Sequence, residues 1–324
     1  MSPSGLAPSQ AGVSTHGPDR PANASYSAAK DPYPLIGSRS DNGFMTAPST
    51  LYHYTSFSAL QGIVASRTVW ATSVHYLNDA REYRHALGIA RDTLWEMRSS
   101  DVRDDLERAV FARLEEYLNS ESQIRVCVFS LSEHSNQLSQ WRAYCPKGRG
   151  VSIGFEAQEL LSVVRPLGFK LIQCIYNEDQ QRQLVTKALS DGLQQLRQVR
   201  KTQATDEKAL LRGMWEYYSR ALADLSPHLK HPAFVEEAEW RLVSDLVPMD
   251  HPQLRVRPTD AMLIPYFELP IDLGNRRLPI TNVVVGPTDH VALASTAIMD
   301  LFSVNKTTFG GSVIPSHVPL RTFA

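Results

Sequence analysis

Residues 51–71 read LYHYTSFSALQGIVASRTVWA, and the fold class follows from how this stretch is parsed. Alternation over Leu51–Thr55 predicts a short strand with His53 and Thr55 on one face and Tyr52 and Tyr54 on the other. Ser56 or Ser58 can cap a helix carrying Leu60, Ile63 and Val64, after which Val69–Ala71 reads as a second strand. Working outward, Asn78 or Asp79 caps a helix with Tyr83, Ala86, Leu87, Ala90 and Leu94 on one face. A further helix after Asp101 carries Leu106, Val110, Leu114 and Tyr117. The apolar run Ile124–Leu131 reads as a central strand. Residues 180–226 read as two helices closed by Pro227 and Pro232, and strands recur at Trp240–Val247, Met262–Leu269 and Thr281–Val285. Strands and helices in runs, without regular βαβ alternation, predict an α+β fold.

Composition narrows the classes. The chain has 33 Lys plus Arg against 34 Asp plus Glu, so no global field draws it toward nucleic acid or membrane. No run approaches the roughly 18 consecutive apolar residues a membrane span requires. Three cysteines, Cys127, Cys145 and Cys174, make no disulfide framework or metal-finger spacing and fit a reducing, cytoplasmic setting. Cys127 and Cys174 read as small core residues and Cys145 as the more exposed one. Residues 1–48 hold eight Ser, seven Pro, seven Ala and five Gly, a composition unable to offset its own ordering entropy. This predicts a disordered leader followed by one domain over 49–324, with a helical insert at about 180–226. No apolar segment of the secretory type follows Arg20. The uncharged, Ser-rich start also fits an export leader of the type III kind.

Three polar clusters carry the chemistry. Tyr52-His53-Tyr54-Thr55 closes the first strand, where an imidazole can bond a ribose hydroxyl and a ring can stack on a ligand. Ser130-Leu131-Ser132 ends a strand just before Trp141, Arg142 and Tyr144, which read either as core packing or as a pocket wall. Glu237-Ala238-Glu239-Trp240-Arg241 places two carboxylates two residues apart, on one face of a strand, with Arg241 on that face too. Such a pair either stabilises a cationic intermediate or is neutralised structurally by Arg241.

Taken in order, these clusters resemble the bacterial family catalogued as domain of unknown function 2971. The matching segments are Leu51–Ser56, Leu77-Asn78-Asp79, Phe129–Ser132, Trp141–Tyr144, Gly150–Phe155, Glu237–Arg241, Val283–Pro287 and Pro319–Arg321. The opening also resembles ADP-ribosyltransferases of the diphtheria-toxin type. In both, a strand ending His-Tyr-Thr runs into a helix with Leu and Ile and then, here at Arg67–Trp70, into a new strand. This second resemblance implies a split mixed or antiparallel sheet with flanking helices. It implies a transferase that uses NAD as substrate, with no metal, and moves ADP-ribose to a macromolecular acceptor, protein or nucleic acid.

In that scheme Glu239 is the catalytic glutamate and Glu237 the leading residue of the pair. His53, Tyr54, Thr55, Ser130, Trp141, Tyr144 and Arg241 form the NAD site, with Tyr54, Tyr76, Tyr83 and Tyr144 all open as the stacking ring. As a defence toxin or exported effector, the protein would partner an immunity protein or a secretion chaperone. Two rivals stand beside this reading. One is a nucleic-acid-binding or nuclease-like module using the basic stretch Arg197–Lys201 with Arg142, Lys147 and Arg149. The other is a non-enzymatic interaction protein docking through the 180–226 helices.

Overall fold

The computed structural model describes residues 47–318, apart from 78–79, 120–124, 146–148 and 203–205. The leader up to residue 46, the caps at Asn78 and Asp79, Lys147 and the segment Pro319–Arg321 therefore lie outside the described residues, as does the side chain of Tyr83. The opening stretch forms β1 (Thr50–Thr55), α1 (Phe57–Ser66) and β2 (Thr68–Ser73). Ser56 Oγ accepts the Ala59 amide, satisfying one free donor of the first turn, and Arg67 at φ 56° ends the helix. Leu60, Ile63 and Val64 are the face that α1 buries.

Beyond β2 come α2 (Ala80–Ser100), α3 (Asp105–Asn119), β3 (Cys127–Ser132), α4 (Leu138–Tyr144), β4 (Val151–Glu156), α5 (Ala157–Val164) and β5 (Phe169–Gln173). The chain continues through α6 (Glu178–Thr202), α7 (Glu207–Leu225), β6 (Glu239–Ser244), β7 (Leu254–Pro258), β8 (Leu263–Pro270), β9 (Ile280–Val285), α8 (Val291–Val304) and β10 (Ser312–Pro315). This is an α+β molecule with a ten-stranded mixed sheet and flanking helices. All strand pairs are antiparallel except β9 with β10.

The sheet forks at β3. One edge of β3 pairs along its length with β6, which in turn pairs with β5. Its other edge is shared: Cys127 and Val128 pair with β2, and Ser132 pairs with Tyr52 of β1. Between those contacts, Phe129–Leu131 have no strand partner on that side among the described residues. From the fork one arm runs β1-β4-β9-β10 and the other β2-β8-β7.

Two apolar layers flank the sheet. Leu51, Phe129, Leu131, Ile153, Trp240 and Leu242 face α1, α5 and α8, while Val128, Ile172 and Val243 face α2, α3, α6 and α7. Cys145, expected to be the more exposed thiol, is buried, with Sγ 3.5 Å from the Thr55 carbonyl. Neither the short helix α5, with Ala157, Leu160 and Val164 on its buried face, nor the strand β7 is among the elements read from the sequence. In β7, Arg255 and Arg257 alternate with Leu254, Val256 and Pro258 on an edge strand; Leu254 packs toward the core and Val256 is exposed.

The α6–α7 contact depends on Gly192, where a Cβ would sit 2.5 Å from Tyr218 Oη and 2.6 Å from the ring. Tyr218 is buried and donates to the Leu189 carbonyl at 3.0 Å, so it has little room to yield. Gly192→Ala gains about 1 kcal/mol of helix propensity but overpacks a closed interface at about 1–3 kcal/mol. A net loss of about 1 kcal/mol is expected in urea unfolding; a net gain would show that the interface can relax.

Candidate functional site

Register across the sheet aligns one row of side chains. Asn282 pairs with Gly154, Gly154 with Tyr52, Tyr52 with Ser132, and Ser132 with Glu239. Directly paired residues share a face, so all five lie on the side of the sheet that carries α4. The Tyr52 ring lies close over Gly154: a Cβ there would meet Tyr52 Cε1 at 2.9 Å and Asn282 Oδ1 at 2.8 Å. Tyr144 packs into the same small cluster as Tyr52, Tyr54 and Trp141.

The row ends in four buried charges. Arg241 donates Nε to Glu239 Oε1 at 2.8 Å and a terminal nitrogen to Oε2 at 2.9 Å, in the bidentate geometry that suits guanidinium and carboxylate. The Lys230 ammonium contacts the carboxylates of both Glu237 and Glu239. Cys174 Sγ lies 3.7 Å from Glu239 Oε2, and Tyr176 Oη accepts the Glu239 amide at 2.9 Å. Burial pushes the Glu239 carboxyl up, but Arg241 and Lys230 more than offset this and hold it at about 2.

Glu237 is the outer member of the quartet. Its side chain is 12% exposed against 6% for Glu239, 2% for Arg241 and 1% for Lys230. Tyr144 Oη donates to Glu237 Oε1 at 3.0 Å, and Ser132 Oγ donates to its carbonyl at 2.8 Å. Burial raises the Tyr144 phenol well above its ordinary range, so it remains a donor.

The structure corrects the strand assignment of Glu237. Pro232 starts a 3-10 turn over Pro232–Glu237, His231 Nδ1 accepts the Ala233 amide, and Ala238 at φ 41° turns the chain into β6. Glu239 is therefore the first strand residue, and the two carboxylates converge through a bend rather than through strand alternation.

The other expected residues separate. Glu237, Glu239, Arg241 and Tyr144 come together. Trp141 is fully buried and donates Nε1 to Asn136 Oδ1 at 2.9 Å, so it supports α4 rather than lining a surface. Tyr54 is spoken for: its hydroxyl donates to the His134 carbonyl at 2.6 Å and accepts the Gln137 amide at 2.8 Å. Ser130 pairs with Arg241, and its side chain shares the face of the quartet.

His53 goes elsewhere, and Thr55 follows it by alternation. His53 pairs with Ile153, its ring lies 4.4 Å from Phe129, and its Nδ1 donates to the Ser130 carbonyl at 2.9 Å. It thus sits beside the fork, on the opposite face from Glu239, and satisfies a carbonyl that no strand reaches. Burial lowers the His53 pKa, so folding favours the neutral ring. This contribution is complete above the unfolded value and is lost as pH falls below it. His53→Ala is expected to cost about 1–3 kcal/mol by leaving that carbonyl unpaired. Unchanged stability in urea unfolding would show that His53 does not hold that carbonyl.

Lys230 is not included among the residues read from the sequence, and Tyr52 is named in the first polar cluster but not ranked among the stacking rings. Lys230 lies between Pro227 and Pro232 with no motif around it, whereas Tyr52 was visible as the ring two positions from Tyr54. The basic run of α6 is drawn into ion pairs, Arg197 with the buried Glu107 at 2.8 Å and Arg200 with Asp104 at 2.5 Å. No helix among the described residues is long and apolar enough to cross a membrane.

A family model described as "Protein of unknown function (DUF2971)" matches residues 140–242. The matched span runs from α4 into β6 and contains Tyr144, Lys230, Glu237, Glu239 and Arg241. It supports the resemblance to that family over the segment that builds the quartet. No curated protein matches the chain, and no solved structure does.

Proposed function

We propose that the chain is an ADP-ribosyltransferase-like enzyme that uses NAD as substrate, transfers ADP-ribose to a macromolecular acceptor, and works through Glu237. The observation that supports this reading best is the placement of Glu237 at the least buried end of a buried charge quartet, hydrogen-bonded to Tyr144. Departure of nicotinamide leaves positive charge on the ribose. A carboxylate already fixed in place stabilises that charge more in the transition state than in the ground state. Lys230 and Tyr144 fix Glu237, one at each oxygen.

Within this proposal the two glutamates exchange roles. Glu239 anchors Lys230 and Arg241, because both of its oxygens are already engaged. Tyr52, on the same row and half-buried, is the stacking ring, in place of Tyr54, Tyr76, Tyr83 or Tyr144. Action as a defence toxin or an exported effector fits equally with this site. The nucleic-acid alternative is weakened by the ion pairs that occupy Arg197 and Arg200. Incubating the full chain with labelled NAD and cell extract, then identifying all products by mass spectrometry, tests the reading. Free nicotinamide together with labelled acceptor or free ADP-ribose is expected; intact NAD throughout would reject it.

A further inference from the structure

A second imidazole is linked to the quartet through Gln181 and the Lys230 carbonyl, and its hydrogen bond fixes its tautomer. Gln181 is fully buried at the start of α6 and donates Nε2 to the carbonyls of Ile175 at 2.5 Å and Lys230 at 2.7 Å. Turning this amide over would set its oxygen against two carbonyl oxygens, so Oε1 must face outward. Opposite it, at 2.9 Å, is His85 Nε2 of α2. A nitrogen facing a pure acceptor carries hydrogen, which leaves the lone pair of the neutral ring on Nδ1. That atom makes no hydrogen bond among the described residues.

The ring is tied to the site from two sides. Lys230, whose carbonyl orients Gln181, places its ammonium on Glu237. His231, whose ring meets His85 edge-on at 5.2 Å, begins the turn that ends in Glu237. Glu237 itself is poorly free to take a proton, because Lys230 and Tyr144 already donate to its two oxygens. An acceptor that must lose a proton needs another base.

We propose that His85 is a catalytic residue, the general base for a neutral hydroxyl-bearing acceptor. The assignment rests on the transferase reading above. The acceptor oxygen forms a bond to ribose C1 while the bond from C1 to the nicotinamide nitrogen breaks, its electron pair leaving with neutral nicotinamide. The hydroxyl proton passes to His85 Nδ1, and the imidazolium then releases it to water. Gln181 is the positioning residue that keeps His85 in the tautomer able to accept.

The test measures nicotinamide release by the full chain with His85→Ala and His85→Gln, with and without added imidazole. A fall of about a hundredfold is expected, with partial recovery in imidazole for the alanine variant and a melting temperature within a few degrees of wild type. Wild-type rates would overturn the assignment, and so would a loss that imidazole does not restore. Failure of wild type to cleave NAD would instead sink the transferase reading. His85 can still be judged in that case by diethylpyrocarbonate labelling, where faster modification of His85 than of His53 or His228 is expected. Protection of His85 would show that its Nδ1 is not a free base.

Discussion

Lys230→Met is expected to lower folding stability by about 3–5 kcal/mol, the cost of breaking a buried charge pair by removing one partner. The lysine is fully buried and its ammonium serves two carboxylates at once. Without it, Arg241 still neutralises Glu239, but Glu237 retains only the Tyr144 hydroxyl. Methionine keeps most of the volume, so the loss reports charge rather than a cavity. Adding Glu237→Gln should recover most of the loss, because the stranded carboxylate is then gone. Urea unfolding of the single and double variants completes the cycle. A loss below about 1 kcal/mol for Lys230→Met would mean that the quartet does not hold the site.

The quartet also sets a pH dependence. Glu239 is held at about 2 in the folded chain, below its ordinary value of 4.5. Its contribution is complete above the ordinary value and drains away as pH falls through that interval toward 2. His228 acts in the same direction at higher pH, since burial pushes its pKa down to about 4. Its contribution is present above about 6.5 and declines as acid protonates the unfolded chain first.

Local patterns in the sequence are specific about elements and silent about partners. Alternation over Leu51–Thr55 separates the faces of His53 and Tyr52, and a serine places the start of α1, because both depend on neighbours within a few residues. Which face meets Glu239 depends on the register of β1, β3 and β6, residues far apart along the chain. Alternation alone therefore cannot show that His53 lies behind the sheet and Tyr52 in front of it. The strand pattern also misplaced Glu237, because two residues apart means one face only where the backbone stays extended. Pro232 was visible, but the left-handed turn at Ala238 was not. Lys230 was beyond reach, since Gln181 at its carbonyl and Glu237 and Glu239 at its ammonium meet it only in the fold. In β7, charge at Arg255 and Arg257 hides a strand whose edge faces solvent.

Glu237→Gln carries the largest effect expected on activity. Glutamine keeps the size of the side chain and a hydrogen-bond acceptor for Tyr144 or Lys230, but removes the charge that would face the developing cation in the proposed reaction. Loss of one such electrostatic contact lowers turnover by about 10²–10³-fold. Because the charge matters mainly in the transition state, NAD affinity should change little. Glu239→Gln is expected to behave differently, lowering stability first, because Arg241 and Lys230 both lean on that carboxylate. The most direct measurement is the initial rate of nicotinamide release by wild type and Glu237→Gln, with melting temperatures taken on the same samples. A rate about 10²–10³-fold lower in the variant, at a melting temperature within a few degrees, is the predicted result; equal rates in the two proteins would contradict the assignment of Glu237 as the working carboxylate.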